Sequence, residues 1–147
     1  MNIALDAKDR RILEHLQADA RLTLAEVGRR VHLSQPAVAE RVRRMEAAGV
    51  ITGYHATVDP SSLGYGIAAF IRIARGAHDT PVETVAAALP QVVECHSITG
   101  DDCSMVKVVA GSVGELEKVI AEFTRCGVTS TSLILSSSVQ RKVLRGA

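Results

Sequence analysis

The stretch SQPAVAERVRRMEAAGV, Ser34 to Val50, decides how this chain is read. A serine before a helix accepts a backbone N–H that the first turn leaves without an acceptor. Pro36 falls in that same turn, where its missing N–H costs little. Gly49 then ends the helix. At 100° per residue Val38, Val42 and Met45 lie together and form the core stripe. The opposite face carries Pro36, Glu40, Arg43 and Ala47, flanked by Ala39 and Arg44. From Arg29 to Arg44 the chain holds five arginines against one acid, Glu40.

Working outward, Asp6 caps a first helix whose stripe is Ile12, Leu13 and Leu16. Thr23-Leu24-Ala25-Glu26 is a capping box and opens a second helix with Leu24, Val27 and Val31 inward. Three short helices with a tight turn before the last make a helix-turn-helix unit of the winged type. The third helix of such a unit enters the major groove of DNA. Its residue types suit that task. Gln35 pairs bidentately with adenine, Glu40 accepts from cytosine, and Arg43 reads guanine or holds phosphate. Ser34 and Pro36 open the helix at the groove, Arg44 flanks it, and the small Ala37 and Ala39 let its backbone come close. Arg41 lies near the core stripe, so it pairs with an acid on an earlier helix or reaches a flanking phosphate. A solvated surface helix in a small bundle carries the same charge pattern, so pattern alone leaves both readings open.

After Asp59-Pro60-Ser61-Ser62 the periodicity changes. Strands are expected over 66–75, 92–99, 103–110 and 128–139. Thr80-Pro81-Val82-Glu83 and Ser112-Val113-Gly114-Glu115 read as two further capping boxes. The first opens a helix that stops before Pro90, the second a helix running to about Arg125. The order βαββαβ is ferredoxin-like, and the fold class is α+β. The expected division is a helix-turn-helix domain over 1–52, a linker over 53–64 and a ferredoxin-like domain over 65–147. Ala68-Ala69-Phe70-Ile71 and Val106 to Val109 make the sheet apolar on both faces, which predicts a homodimer.

Composition narrows the partners. In 147 residues no apolar run spans a membrane, and the first residues lack a signal pattern, so a cytoplasmic protein is expected. Cys95, Cys103 and Cys126 show no CxxC spacing, which points to reduced thiols and no metal site. With a net charge of +1, any attraction to nucleic acid is local.

The stretch from Leu5 to Gly64 resembles the N-terminal half of the Lrp/AsnC family, the feast/famine transcriptional regulators. The likeness rests on Leu5-Asp6 with Asp9, Ile12-Leu13, Leu16, Asp19 and Arg21. It continues in Leu33-Ser34, Arg41-Val42, Glu46, Gly49-Val50-Ile51, Gly53-Tyr54 and Leu63-Gly64. The βαββαβ half resembles the family's ligand-binding and assembly domain. The resemblance implies a homodimer on double-stranded DNA, often built into larger rings of dimers, with a free amino acid as effector and no cofactor. It implies an effector pocket at Gly100-Asp101-Asp102, where Gly100 and Asp101 match and Asp102 and Cys103 depart from the family's aromatic and second acid. Asp101 or Asp102 would take the ligand's ammonium. The turn's amides, with hydroxyls of Thr129, Ser130, Thr131 and Ser132, would take its carboxylate, and Ser104 belongs to the same site. A plain hairpin turn has the same Gly and Asp residues.

Three other readings weigh less. An amino-acid-binding subunit of a metabolic enzyme uses the same βαββαβ fold, but no nucleophile–base pair appears: Cys95 and His96 are adjacent on a strand and face opposite ways. A metal or redox site at Cys103 has a poor ligand set, one thiol and two turn aspartates. An RNA module would stack bases on sheet aromatics, and CSMVKVVA has none.

Overall fold

The computed structural model describes residues 3–75 and 80–145, and the chain divides into two compact units. The first comprises the described residues of 1–57 and 139–147, the second residues 58–138.

In the first unit, helix α1 (Ala7–Ala18), α2 (Leu24–Val31) and α3 (Gln35–Ala47) follow the caps read from sequence. Thr23 and Glu26 close their capping box, and the Ser34 hydroxyl accepts the Ala37 N–H. Asp6 does more than cap. Its carboxylate accepts the Asp9 N–H at 2.8 Å while the Asp9 carboxylate accepts the Asp6 N–H at 3.1 Å, a capping box built from two aspartates. Ile12, Val27, Val31, Val38 and Met45 are fully buried in one core, with Leu16 and Val42 nearly so.

The turn between α2 and α3 depends on close approach. His32 adopts the left-handed conformation (φ 57°, ψ 53°), and the Leu33 N–H donates to the Gly28 carbonyl at 2.9 Å. A Cβ on Gly28 would lie 2.6 Å from the Leu33 carbonyl oxygen, inside any van der Waals limit. After Gly49, itself left-handed at φ 72°, the connector to Val58 carries no strand, so no β-hairpin wing is built there. Tyr54 fastens this connector by donating its hydroxyl to Glu46 at 2.8 Å.

The second unit contains β1 (Ile67–Arg75), α4 (Val82–Ala88), β2 (Val92–Ser97), β3 (Asp102–Ala110), α5 (Val113–Phe123) and β4 (Gly127–Leu133). The strands form one antiparallel sheet in the order β2-β3-β1-β4. Ala69, Ile71, Ile73, Val106, Val108 and Ala110 bury one face against Val82, Val85, Leu116, Val119 and Phe123.

Several boundaries differ from the sequence reading. Pro81 is the N-cap of α4 and no side chain caps it, so Thr80 opens no box. Ser112 caps α5, but the Glu115 carboxylate turns to the Gly111 N–H and the Gln91 amide, which leaves that box half formed. Helix α5 ends at Phe123, and β4 ends at Leu133 because its pairing with β1 runs out at Ala69. Residues 139–145, assigned by sequence to the ferredoxin-like half, cluster with the first unit, where Leu144 bonds to Gln17. No described helix is long and apolar enough to cross a membrane.

Gly28→Ala is expected to destabilise the first unit by about 1–3 kcal/mol, since overpacking must shift the turn backbone. Gly114→Ala, in open space near the start of α5, is expected to be neutral or stabilising. Thermal unfolding of the two variants side by side checks both.

Candidate nucleic-acid interface and effector turn

Helix α3 presents the residues singled out by sequence in three different states. Ser34, Gln35 and Pro36 are exposed at its start, and Ala37 and Ala39 are half-buried beside them. Glu40 and Arg43 face solvent, with side chains 65% and 75% exposed, and they pair with each other one turn apart. An exposed ion pair of this kind contributes a few tenths of a kcal/mol and exchanges readily for another partner.

Arg41 and Arg44 are engaged elsewhere. Arg41 donates to Asp6 at 2.6 Å and to Asp9 at 2.7 Å, and Arg44 donates to Asp9 at 2.6 Å. The Asp9 side chain has no exposure at all. Of the two readings left open for Arg41, the acid on an earlier helix is the one realised. Arg44 keeps 47% of its side chain exposed, so part of its guanidinium still faces solvent. Two cations of α1 serve α2: Lys8 donates to the Val31 carbonyl at 2.6 Å and Arg11 to the Arg30 carbonyl at 3.0 Å. Positive groups at a helix C-terminus satisfy its free carbonyls and oppose its dipole.

Two ionisations follow from this geometry. The Asp9 N–H, and after it the Arg41 guanidinium, hold the Asp6 carboxyl down from 3.8 to about 2. Burial, and then the hydrogen bond to Glu46, push the Tyr54 hydroxyl up to about 12.

In the second unit Gly100 takes φ 117° in the β2–β3 turn, Asp101 is exposed beside it, and Asp102 opens β3. Cross-strand partners share a face of the sheet. By that rule Asp102, opposite Ala74, joins Arg72 and Ser130 on the face away from the helices, with Ser132 farther along it opposite Phe70. The Arg72 guanidinium lies 3.8 Å from the Asp102 carboxylate and donates to the Ser130 hydroxyl at 3.2 Å. Thr131 pairs with Ile71 and Ser104 with Ile73, which puts both on the helix-side face. Ser104 is buried there, with its hydroxyl 3.9 Å from the Cys103 sulfur. A β-bulge at Ile73/Ala74 lets Asp102 and Ser104 face opposite ways despite their spacing of two.

Sequence reading missed two residues at these sites. Asp9 carried a signal, a second aspartate three residues after a capping one. Arg72 carried none, because which face of β1 it occupies depends on pairing.

The chain matches known proteins along most of its length. Residues 5–46 match the AsnC-type helix-turn-helix domain, and residues 68–144 match the Lrp/AsnC ligand binding domain. The HTH-type transcriptional regulator YezC of Bacillus subtilis is 41% identical over 134 residues, covering 91% of this chain and 96% of that protein. The structure of LrpC from the same organism superposes with a TM-score of 0.88 at 32% identity, over 95% of this chain and all of that one. A transcriptional regulator of Neisseria meningitidis solved with L-methionine superposes with a TM-score of 0.87 at 27% identity, over 96% of each chain.

Asp9→Ala is expected to destabilise the first unit by about 3 kcal/mol. That is the low end for breaking a buried ion pair, because both guanidinium groups can reach water. Acid acts on the same network. A carboxyl held below its ordinary value stabilises the fold above that value and ceases to do so as pH falls through the lowered one. The Asp6 contribution should therefore be intact above about pH 4 and lost toward pH 2. Unfolding midpoints of the parent and of Asp9→Ala and Asp6→Asn variants across that range check both effects.

Proposed function

The chain belongs to the Lrp/AsnC family of transcriptional regulators, and we propose that it reads duplex DNA through Gln35, Glu40 and Arg43 of α3. The observation that carries this reading is the sorting of charge on that helix. Arg41 and Arg44 hold the fold together, while Glu40 and Arg43 are more exposed than either and, among the described residues, pair with each other. A side chain pairing with a neighbour on its own helix gives up little when it turns to a base edge. Arg44, and Arg41 to a lesser extent, then act on phosphates from their fixed positions, and Ser34, Pro36, Ala37 and Ala39 shape the approach.

The same reading takes the chain to be a cytoplasmic homodimer, assembling further into groups of dimers and carrying no enzymatic activity. The outward sheet face supports pairing: Ala68, Phe70 and Met105 lie there half-buried around Arg72 and Lys107. Two recognition helices related by a two-fold axis then suit a roughly palindromic site.

The effector is proposed to be a free amino acid. Asp102 takes its ammonium, Arg72 its carboxylate and Ser130 a further hydrogen bond, with Gly100 and Asp101 shaping the turn. Ser132 lies farther along the same face, and Thr131 and Ser104 line the other side of the sheet. The 3.8 Å gap between Arg72 and Asp102 favours this reading, since a loose pair can open around a zwitterion.

Selection of binding duplexes from a randomised pool tests the DNA reading. Arg43→Ala is expected to lower affinity for the selected duplex by about 1–3 kcal/mol, concentrated at one base pair. A pool that yields no binder, or an Arg43→Ala variant that binds like its parent, overturns it. Thermal shift against the twenty amino acids tests the effector. Asp102→Asn and Arg72→Gln are each expected to weaken the best hit by about ten- to hundredfold. A hit indifferent to both moves the site off this face.

A further inference from the structure

The segment after β4 returns to the DNA-binding unit and is latched there. The Gln17 side-chain amide, near the end of α1, donates to the Leu144 carbonyl and accepts the Leu144 N–H, both at 2.9 Å. This is the two-bond pattern of one rung in a β-ladder, made by a side chain. Leu144 is 78% exposed, so burial of that leucine does not account for the docking. What the latch brings is charge.

Residues 1–57 carry nine Lys and Arg against seven Asp and Glu, a side-chain charge of +2. Arg141, Lys142 and Arg145 raise that to +5, and the chain holds no acid after Glu122. All three are exposed, and no acid among the described residues pairs with any of them. Arg141 and Arg145 line a hollow of about 770 Å³ beside α1, together with Arg10 and Arg21, and among the described residues Asp19 is the only acid there. Cations gathered on one surface repel each other, and a polyanion relieves that repulsion.

We infer that Arg141, Lys142 and Arg145, held against α1 by Gln17, form a second DNA contact that grips phosphates beside the groove read by α3. The inference rests on the DNA-binding function proposed above. In a three-helix variant of this motif the loop between the first and second helices contacts the phosphate backbone while the third helix enters the groove, and the latch holds this segment beside that loop, whose Arg21 lines the same hollow. The contact is sequence-independent, because a guanidinium or ammonium meeting a phosphate carries no base information. It supplies affinity and leaves discrimination to α3.

The test is a salt titration of the full chain on a duplex it selects from a randomised pool. Each phosphate neutralised contributes about 0.9 to the slope of log affinity against log salt. A variant with Arg141, Lys142 and Arg145 all changed to Gln is expected to show a slope shallower by about 2–3 units. Its preference for the selected duplex over a scrambled one should be unchanged. Gln17→Ala keeps the charges and releases the latch, and is expected to weaken binding severalfold. A triple variant with the parent's slope, or a Gln17→Ala variant that binds like the parent, overturns the inference. If those two behave like the parent while Arg43→Ala is weakened, this inference fails alone. A parent that selects no duplex overturns the DNA-binding reading, and this inference with it.

Discussion

The Asp9 carboxylate has no exposure and sits between two guanidinium groups of α3 and the backbone N–H that opens α1. An isolated carboxylate so buried is strongly disfavoured, and three donors, two of them cationic, offset that cost here. The apolar core around it is not directional. Ile12, Val38 and Met45 could keep most of their contact if α3 rolled by some degrees about its axis. The carboxylate cannot tolerate that roll, because its partners lie at fixed positions on α3. We read Asp9 as setting the rotation of the recognition helix, and so deciding which residues face outward.

From that constraint follows a division among charges that composition conceals. Pairs made with a buried partner are strong and committed, and they belong to the scaffold. Glu40 and Arg43, both mostly exposed, make the weak kind and remain available. The second unit holds an intermediate case, where Arg72 reaches Ser130 closely but keeps its distance from Asp102. The binding surfaces proposed for this chain lie where electrostatic satisfaction is incomplete, and that is legible only once partners are known.

How far the sequence could be read follows from the range of each signal. Helix starts were legible at Asp6, Thr23 and Ser34, because capping is a local exchange between residues three apart. The same logic misled at Thr80, where Pro81 itself is the N-cap, and at Glu115, whose carboxylate found Gln91 instead. The core stripe of α3 followed from periodicity. The acids near its arginines did not, since Asp6 lies 35 residues from Arg41, and Asp9 lies 32 from Arg41 and 35 from Arg44. At the effector turn the residue types were visible, but the bulge at Ile73/Ala74 sends Ser104 to the other face from Asp102. A one-residue slip reverses facing, and nothing local announces it.

The Asp9 pairing also bears on how this protein can change over generations. Replacing Arg41 or Arg44 leaves a buried carboxylate short of a donor, so those positions change only together with Asp9 or at a cost in folding. Gln35, Glu40 and Arg43 carry no such debt. If α3 reads DNA as proposed, substitutions there alter what is read without disturbing the structure that does the reading. One helix thus contains a frozen half and a mutable half, and a duplicated copy of this gene could acquire a new operator through three codons.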